Sequence, residues 1–173
     1  MKKITILAFC CIVLDQFVKW IVTHMIEFME QIFVIPNFFY LTNVRNYGAA
    51  WSILDGNRVF FIFMAFFCLA LIYYFFIYQQ KLAKREILGY GLLIGGIIGN
   101  LIDRMILGYV VDYIGLIFFG YHYPVFNIAD VCIVGSVIII FYHFWKERNS
   151  DGTDNYRQRR SSGKNRSRHD ERA

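Results

Sequence analysis

The sequence predicts an all-α membrane protein of four transmembrane helices, with a small extracytoplasmic β-rich element formed by its two outer loops. Three observations lead there. At 57% hydrophobic and 19% aromatic, the 173 residues are too apolar for an ordinary water-soluble chain. Apolar runs recur at lengths near the roughly 20 residues that match a bilayer's hydrocarbon thickness. Lysine and arginine are also spread unevenly among the segments between those runs.

The first helix is expected over about residues 4–26, a long apolar run carrying Asp15, Gln16 and Lys19 in its middle. It starts basic, as a signal peptide does, but those polar residues interrupt it and no A-x-A site follows, so an uncleaved anchor is expected. The second, about 59–78, contains no charge, Pro or Gly. The third, about 87–104, is Gly-rich and uncharged as far as Ile102; the fourth, about 128–145, is apolar apart from Asp130 and His143.

Lys2 and Lys3 precede the first helix, and Lys81, Lys84 and Arg85 lie between the second and third. The segment after the fourth adds nine more cations from Lys146 to Arg172, whereas loops 28–58 and 103–126 hold only Arg45, Arg58 and Arg104. The positive-inside rule then places both termini in the cytoplasm and the two sparse loops outside. Residues 1–147 read as one membrane domain. Residues 148–173 are polar, Ser/Arg-rich and nearly free of apolar side chains, which predicts a disordered basic cytoplasmic tail rather than a nucleic-acid-binding segment. Contact with anionic headgroups is its second reading.

Cys10, Cys11, Cys68 and Cys132 all fall within expected spans and read as small hydrophobes. The histidines are scattered and no metal-ligand spacing occurs, so no metal site is expected.

The polar residues are more informative. With this topology the third helix runs outward and ends in GNLIDR, while the fourth runs inward and begins at FNIAD. Each holds Asn-x-x-Asp, Asn100 with Asp103 and Asn127 with Asp130, and a spacing of three puts each pair on one helix face. Two polar clusters are thereby brought to the same membrane surface. Gly91, Gly95 and Gly99 form a small-residue row for close helix approach, with Asp103 continuing it. With Asn127 as the N-cap, Asp130 lies at the third helical position, where free N–H groups and the helix dipole favour a carboxylate. A capping role alone accounts for an acid there. The loop between the helices adds Asp112 in GYVVDYIG, a β-favouring run. By itself Asp112 reads as a hairpin residue facing water; near Asp130 it supplies a second carboxylate, and such a pair can share a proton, activate water and protonate a leaving group. Asp15 and Lys19 are four apart and read as a structural intramembrane ion pair, with a proton or ion path as the competing reading.

Together these residues resemble the lipoprotein signal peptidases (signal peptidase II), a family of bacterial membrane aspartyl proteases. The resemblance covers about residues 8–145 and rests on DQFVK at 15–19, NYGAAWS at 46–52, GGIIGNLIDR at 95–104, VVDY at 110–113 and FNIAD at 126–130, in the family's order. It implies that Asp112 and Asp130 are the catalytic dyad. It further implies that Asn46, Asn100, Asp103, Arg104 and Asn127 bind substrate or support the dyad. Trp51 stands where Phe is commoner, and Cys132 where a small polar or apolar residue is usual. The implied activity is removal of signal peptides from diacylglyceryl-modified prolipoproteins, cleaving before the lipidated cysteine, with no metal or organic cofactor. The implied setting is the bacterial cytoplasmic (inner) membrane, with prolipoprotein and membrane lipids as partners, no nucleic acid and no obligate protein partner. A small ion or proton transporter and a non-catalytic lipoprotein-binding protein are the alternatives from other functional classes.

Overall fold

A computed structural model describes residues 2–48, 56–78 and 82–170, with side chains described at those positions except 75–77 and 150–170. Helix α1 (Lys2–Met25) is followed by strands β1 (Gln31–Ile35) and β2 (Phe39–Asn46), then α2 (Arg58–Leu71), which runs on as a π-helix over Ile72–Ile77. Helix α3 (Lys84–Ile106), strands β3 (Val110–Phe118) and β4 (Tyr121–His122), and α4 (Ile128–Asp170) complete the order. The tail expected over 148–173 falls almost entirely on side chains outside the described set.

Three helical stretches among the described residues are long and apolar enough to cross a membrane: Lys2–Met25, Lys84–Ile106 and Ile128–Asn149. The second expected span is present as 14 residues of α-helix continued by six of π-helix, so its α-helical part alone is shorter than a span. Outward-facing Phe9, Phe17, Phe63, Val134, Ile138 and Phe141 are each more than half exposed, a distribution suited to lipid rather than water.

Helix α3 is the centre of the bundle, packed between α1 and α4 and touched by α2. The glycine row explains how α1 comes so close. A Cβ at Gly95 would lie 2.6 Å from Cβ of Cys11, and one at Gly99 would lie 2.7 Å from Oδ2 of Asp15. On the face turned to α4, Gly96 plays the same part: its Cβ would stand 2.5 Å from the carbonyl oxygen of Ala129. The row thus leads one helix into contact with the polar middle of another, and Asp103 does continue it.

The two inter-helix segments meet in one antiparallel sheet of order β1-β2-β3-β4. Its middle pair joins them, with Val44 opposite Asp112 and Asn46 opposite Val110. The β3–β4 hairpin turns at Phe119 and Gly120, both with positive φ (50° and 82°). A bulge in β2 between Leu41 and Val44 frees Asn43 to close the end of α1. Its side-chain amide donates to the carbonyl of Ile26 at 3.0 Å, and its main-chain carbonyl accepts from Met29 N–H at 2.9 Å. Helix α3 ends where the carbonyl of Asp103 accepts from Leu107 and Gly108, and Gly108 takes φ +88°, a left-handed cap that turns the chain into β3. The sheet therefore sits at one end of the bundle, over the C-termini of α1 and α3 and the N-terminus of α4.

Candidate active site

Asp15, Lys19, Asn46, Asn100, Asp103, Arg104, Asp112, Asn127 and Asp130 all come together toward that end of the bundle. Asn127 caps α4 reciprocally with Asp130: its Oδ1 accepts from Asp130 N–H at 3.0 Å, and Asp130 Oδ2 accepts from Asn127 N–H at 3.2 Å. This is a capping box with Asp in the usual place of Glu. Asn127 also donates from Nδ2 to Oδ1 of Asp112 at 2.7 Å. Both carboxylates are therefore one hydrogen bond from the same asparagine. Asn46, at the end of β2, donates to the other oxygen of Asp112 at 2.8 Å. Its own Oδ1 accepts from Gly48 N–H at 2.9 Å, fixing the first turn of the NYGAAWS segment. Residues 49–52 of that segment, Trp51 included, lie outside the described residues.

Asn100 holds the other acid. Its Nδ2 donates to Oδ1 of Asp130 at 2.7 Å, while its Oδ1 accepts from Lys19 Nζ at 2.9 Å and from Asn127 Nδ2 at 3.1 Å. These partners leave one orientation for each amide: turning either over would set donors against donors. Asn127 is fully buried, Asp112 is 2% exposed and Asp130 is partly open. One acid thus closes the floor of the site and the other borders its mouth.

Lys19 is the single cation within this floor among the described contacts, bonded to Asp15 at 2.8 Å and to Asp103 at 2.9 Å. The pair expected from the i, i+4 spacing is present, and the structure extends it to an acid on another helix. Each of its acids has a further task. Asp15 Oδ1 accepts from Ala129 N–H at 2.9 Å, satisfying a free donor in the first turn of α4. Asp103 Oδ2 accepts from Val111 N–H at 3.1 Å, anchoring the residue next to Asp112. Such a buried ionic cluster is tolerable because nearly every lone pair and proton in it is matched.

Arg104 points elsewhere in the same region. Its guanidinium donates to the carbonyls of Gly48 at 3.0 Å and Asn100 at 3.4 Å, and lies 4.8 Å from the Phe61 ring centroid. It braces the entry to the NYGAAWS segment rather than bonding either Asp112 or Asp130.

Two contributors were given no role from the sequence alone. Gln16 donates to Oδ1 of Asp103 at 2.9 Å and to the carbonyl of Gly99 at 3.1 Å, joining α1 to α3. Its place beside Asp15 in an apolar span was the available signal. The Tyr113 hydroxyl accepts from Ile128 N–H at 3.2 Å, another first-turn donor of α4. No sequence periodicity marks that contact.

Electrostatics separate Asp112 from an ordinary surface acid. Burial, reinforced by the neighbouring Asp130 charge, raises its pKa from 3.8 to about 7. Hydrogen bonds from Asn46 and Asn127 and the charge of Lys19 work in the opposite direction and are outweighed. Chemically, the arrangement offers two differently exposed carboxyl groups held by shared amide donors, one of which keeps a proton to near neutrality.

The model of the family described as signal peptidase (SPase) II matches residues 7–146. The chain belongs to the signal peptidase II family. Relatives named lipoprotein signal peptidase include one from Listeria monocytogenes serotype 4a, 41% identical over 145 residues that cover 82% of this chain and 92% of the relative. Another, from Bacillus pumilus, is 42% identical over 138 residues, covering 79% and 88% respectively. A solved bacterial membrane enzyme, determined by the in meso method at 2.3 Å resolution, superposes with a TM-score of 0.79 at 35% identity, covering 86% of this chain and 90% of its own. A second, at 1.9 Å resolution, gives 0.75 at 35% identity over 83% of this chain and 93% of its own. Signal peptidase II membership and the apolar helices make this a bacterial membrane protein and an aspartic peptidase, a hydrolase of peptide bonds.

Proposed function

We propose that this signal peptidase II uses Asp112 and Asp130 as its catalytic dyad to remove signal peptides from diacylglyceryl-modified prolipoproteins, cleaving before the lipidated cysteine. The observation that carries the assignment is Asn127, which bonds Asp112 through its side chain and Asp130 through its backbone. One ionised acid takes a proton from a water as that water attacks the scissile carbonyl. The other, protonated, donates to the carbonyl oxygen and then assists departure of the amine. The proton belongs to the pair, and the raised pKa of Asp112 favours a singly protonated pair near neutral pH. Asn46, Asn100 and Asn127 aim the acids, Asp103 sets the start of β3, and Arg104 steadies the loop entry beside the substrate.

The proposed topology has four spans. Arg58 at the start of α2 donates to the carbonyl of Met105 near the end of α3, so α2 and its π continuation must run the bundle's length before α3 can begin. Twenty helical residues give about 30 Å, the thickness of the hydrocarbon layer. The cation-poor segments carry the sheet and the cation-rich ones lie at the other end, so the dyad sits at the extracytoplasmic rim and both termini are cytoplasmic. Membrane lipids then surround the helices and receive the substrate's acyl chains, with no obligate protein partner needed to complete the site.

A transporter reading is not favoured, because Asp103, Asp112 and Asp130 gather at one end and the Lys19 charge is matched by acids beside it. The test is incubation of the purified protein with a diacylglyceryl-modified prolipoprotein and mass analysis of both products. Cleavage on the N-terminal side of the modified cysteine is expected; binding without cleavage contradicts the proposal.

A further inference from the structure

Two thiols on different helices meet one turn inward of the acidic cluster. Cys11 of α1 donates to Cys132 of α4 with a sulfur–sulfur distance of 3.0 Å, and neither is in a disulfide. Cys11 is buried in the slot left by Gly95, where an added Cβ would stand 3.1 Å from its sulfur. Cys132 is half-buried, so the pair is reachable from one side. The register of the two helices at this level is set independently by the bond from Ala129 N–H to Asp15.

We infer that Cys11 and Cys132 form an oxidisable dithiol site that closes to a disulfide and staples α1 to α4 beneath the dyad. Both S–H bonds break and one S–S bond forms. The two electrons and two protons pass to a membrane-dissolved quinone, which becomes the hydroquinone. Reaching a bond length of about 2.05 Å requires the sulfurs to approach by roughly 1 Å, a side-chain adjustment. Cys10, the neighbour of Cys11, is exposed on the outside of α1 and serves as an internal control.

The experiment uses the full chain in nanodiscs, treated with a short-chain benzoquinone whose ring is fully substituted, so that it oxidises thiols without adding to them, and then with reductant. The expected result is loss of the mass of two hydrogen atoms, a fall in free thiols from the four of the reduced chain to two, and a linked Cys11–Cys132 peptide. Cys10→Ala should behave like the parent; Cys11→Ala and Cys132→Ala should form no such link, while each retains parental turnover under reducing conditions. The oxidised parent should also unfold at a higher temperature than the reduced one and revert with reductant. Four intact thiols after treatment, a link formed equally without Cys11, or an unchanged unfolding temperature overturns the inference.

Discussion

Asn127 donates its side-chain amide to Asp112 at 2.7 Å, while its side-chain oxygen accepts from Asp130 N–H at 3.0 Å in the first turn of α4. The residue that caps the helix is therefore the one that aims an acid from the neighbouring strand. Replacing it removes two functions together. Asn127→Ala should lower turnover by roughly 10–100-fold, an effect of the size seen when supporting residues around a reactive centre are lost. It should also cost about 1 kcal/mol of stability through the missing cap. Asn127→Ser, which keeps the cap and shortens the reach to Asp112, should recover stability without recovering turnover. Recovery of both contradicts the aiming role.

The pH profile follows from the burial of Asp112. Its pKa is raised to about 7, so it holds a proton below that value and loses it above. A singly protonated pair is therefore depleted as pH rises, and kcat should fall along an alkaline limb beginning near neutrality. Asn46 opposes the shift by donating to the ionised form. Asn46→Ala should accordingly move the alkaline limb to higher pH, as read from kcat between pH 6 and 9. A limb that stays put or moves down contradicts this reading of Asp112.

Lys19 tests the floor of the site. It is 3% exposed and bonded to Asp15 and Asp103. Lys19→Met leaves two buried carboxylates without their cation, a change expected to destabilise the fold by about 3–5 kcal/mol. Lys2→Met, on the exposed end of α1, should stay within about 0.5 kcal/mol of the parent. Thermal unfolding in detergent distinguishes the two outcomes.

Helix approach gives a fourth prediction. An alanine Cβ at Gly96 would meet the backbone oxygen of Ala129 at 2.5 Å, and backbone yields less readily than a side chain. Gly96→Ala should cost about 1–3 kcal/mol and disturb the α4 start that carries Asp130. Gly135→Ala, where nothing lies within 4 Å, should be close to neutral in the same unfolding measurement.

Much of this was legible in the residues because membranes simplify the code. Asp15, Lys19, Asp103 and Asp130 are conspicuous in apolar spans, and helical spacing alone pairs Asn100 with Asp103 and Asn127 with Asp130. The Asn127 cap and the arrival of β3 beside α4 follow the same local rules. Other features depend on tertiary geometry that spacing does not encode. Lys19 reaching Asp103, Arg104 turning to Gly48 rather than to an acid, and the Tyr113 hydroxyl capping α4 all join elements distant in sequence. The π-helical end of the second apolar run has no compositional mark either, since IYYFFI suits any buried or lipid-facing helix. The cysteines illustrate the same limit: Cys11 and Cys132 read as isolated small hydrophobes until α1 and α4 are placed side by side.

The most direct test of the dyad is the single-turnover rate of Asp112→Asn and Asp130→Asn, each purified in folded form, on a diacylglyceryl-modified prolipoprotein. Loss of an acid that moves a proton in the transition state predicts a fall of at least roughly 10²–10⁴-fold for each, with substrate still bound. Parental turnover by either folded variant contradicts the assignment of Asp112 and Asp130 as the reacting pair.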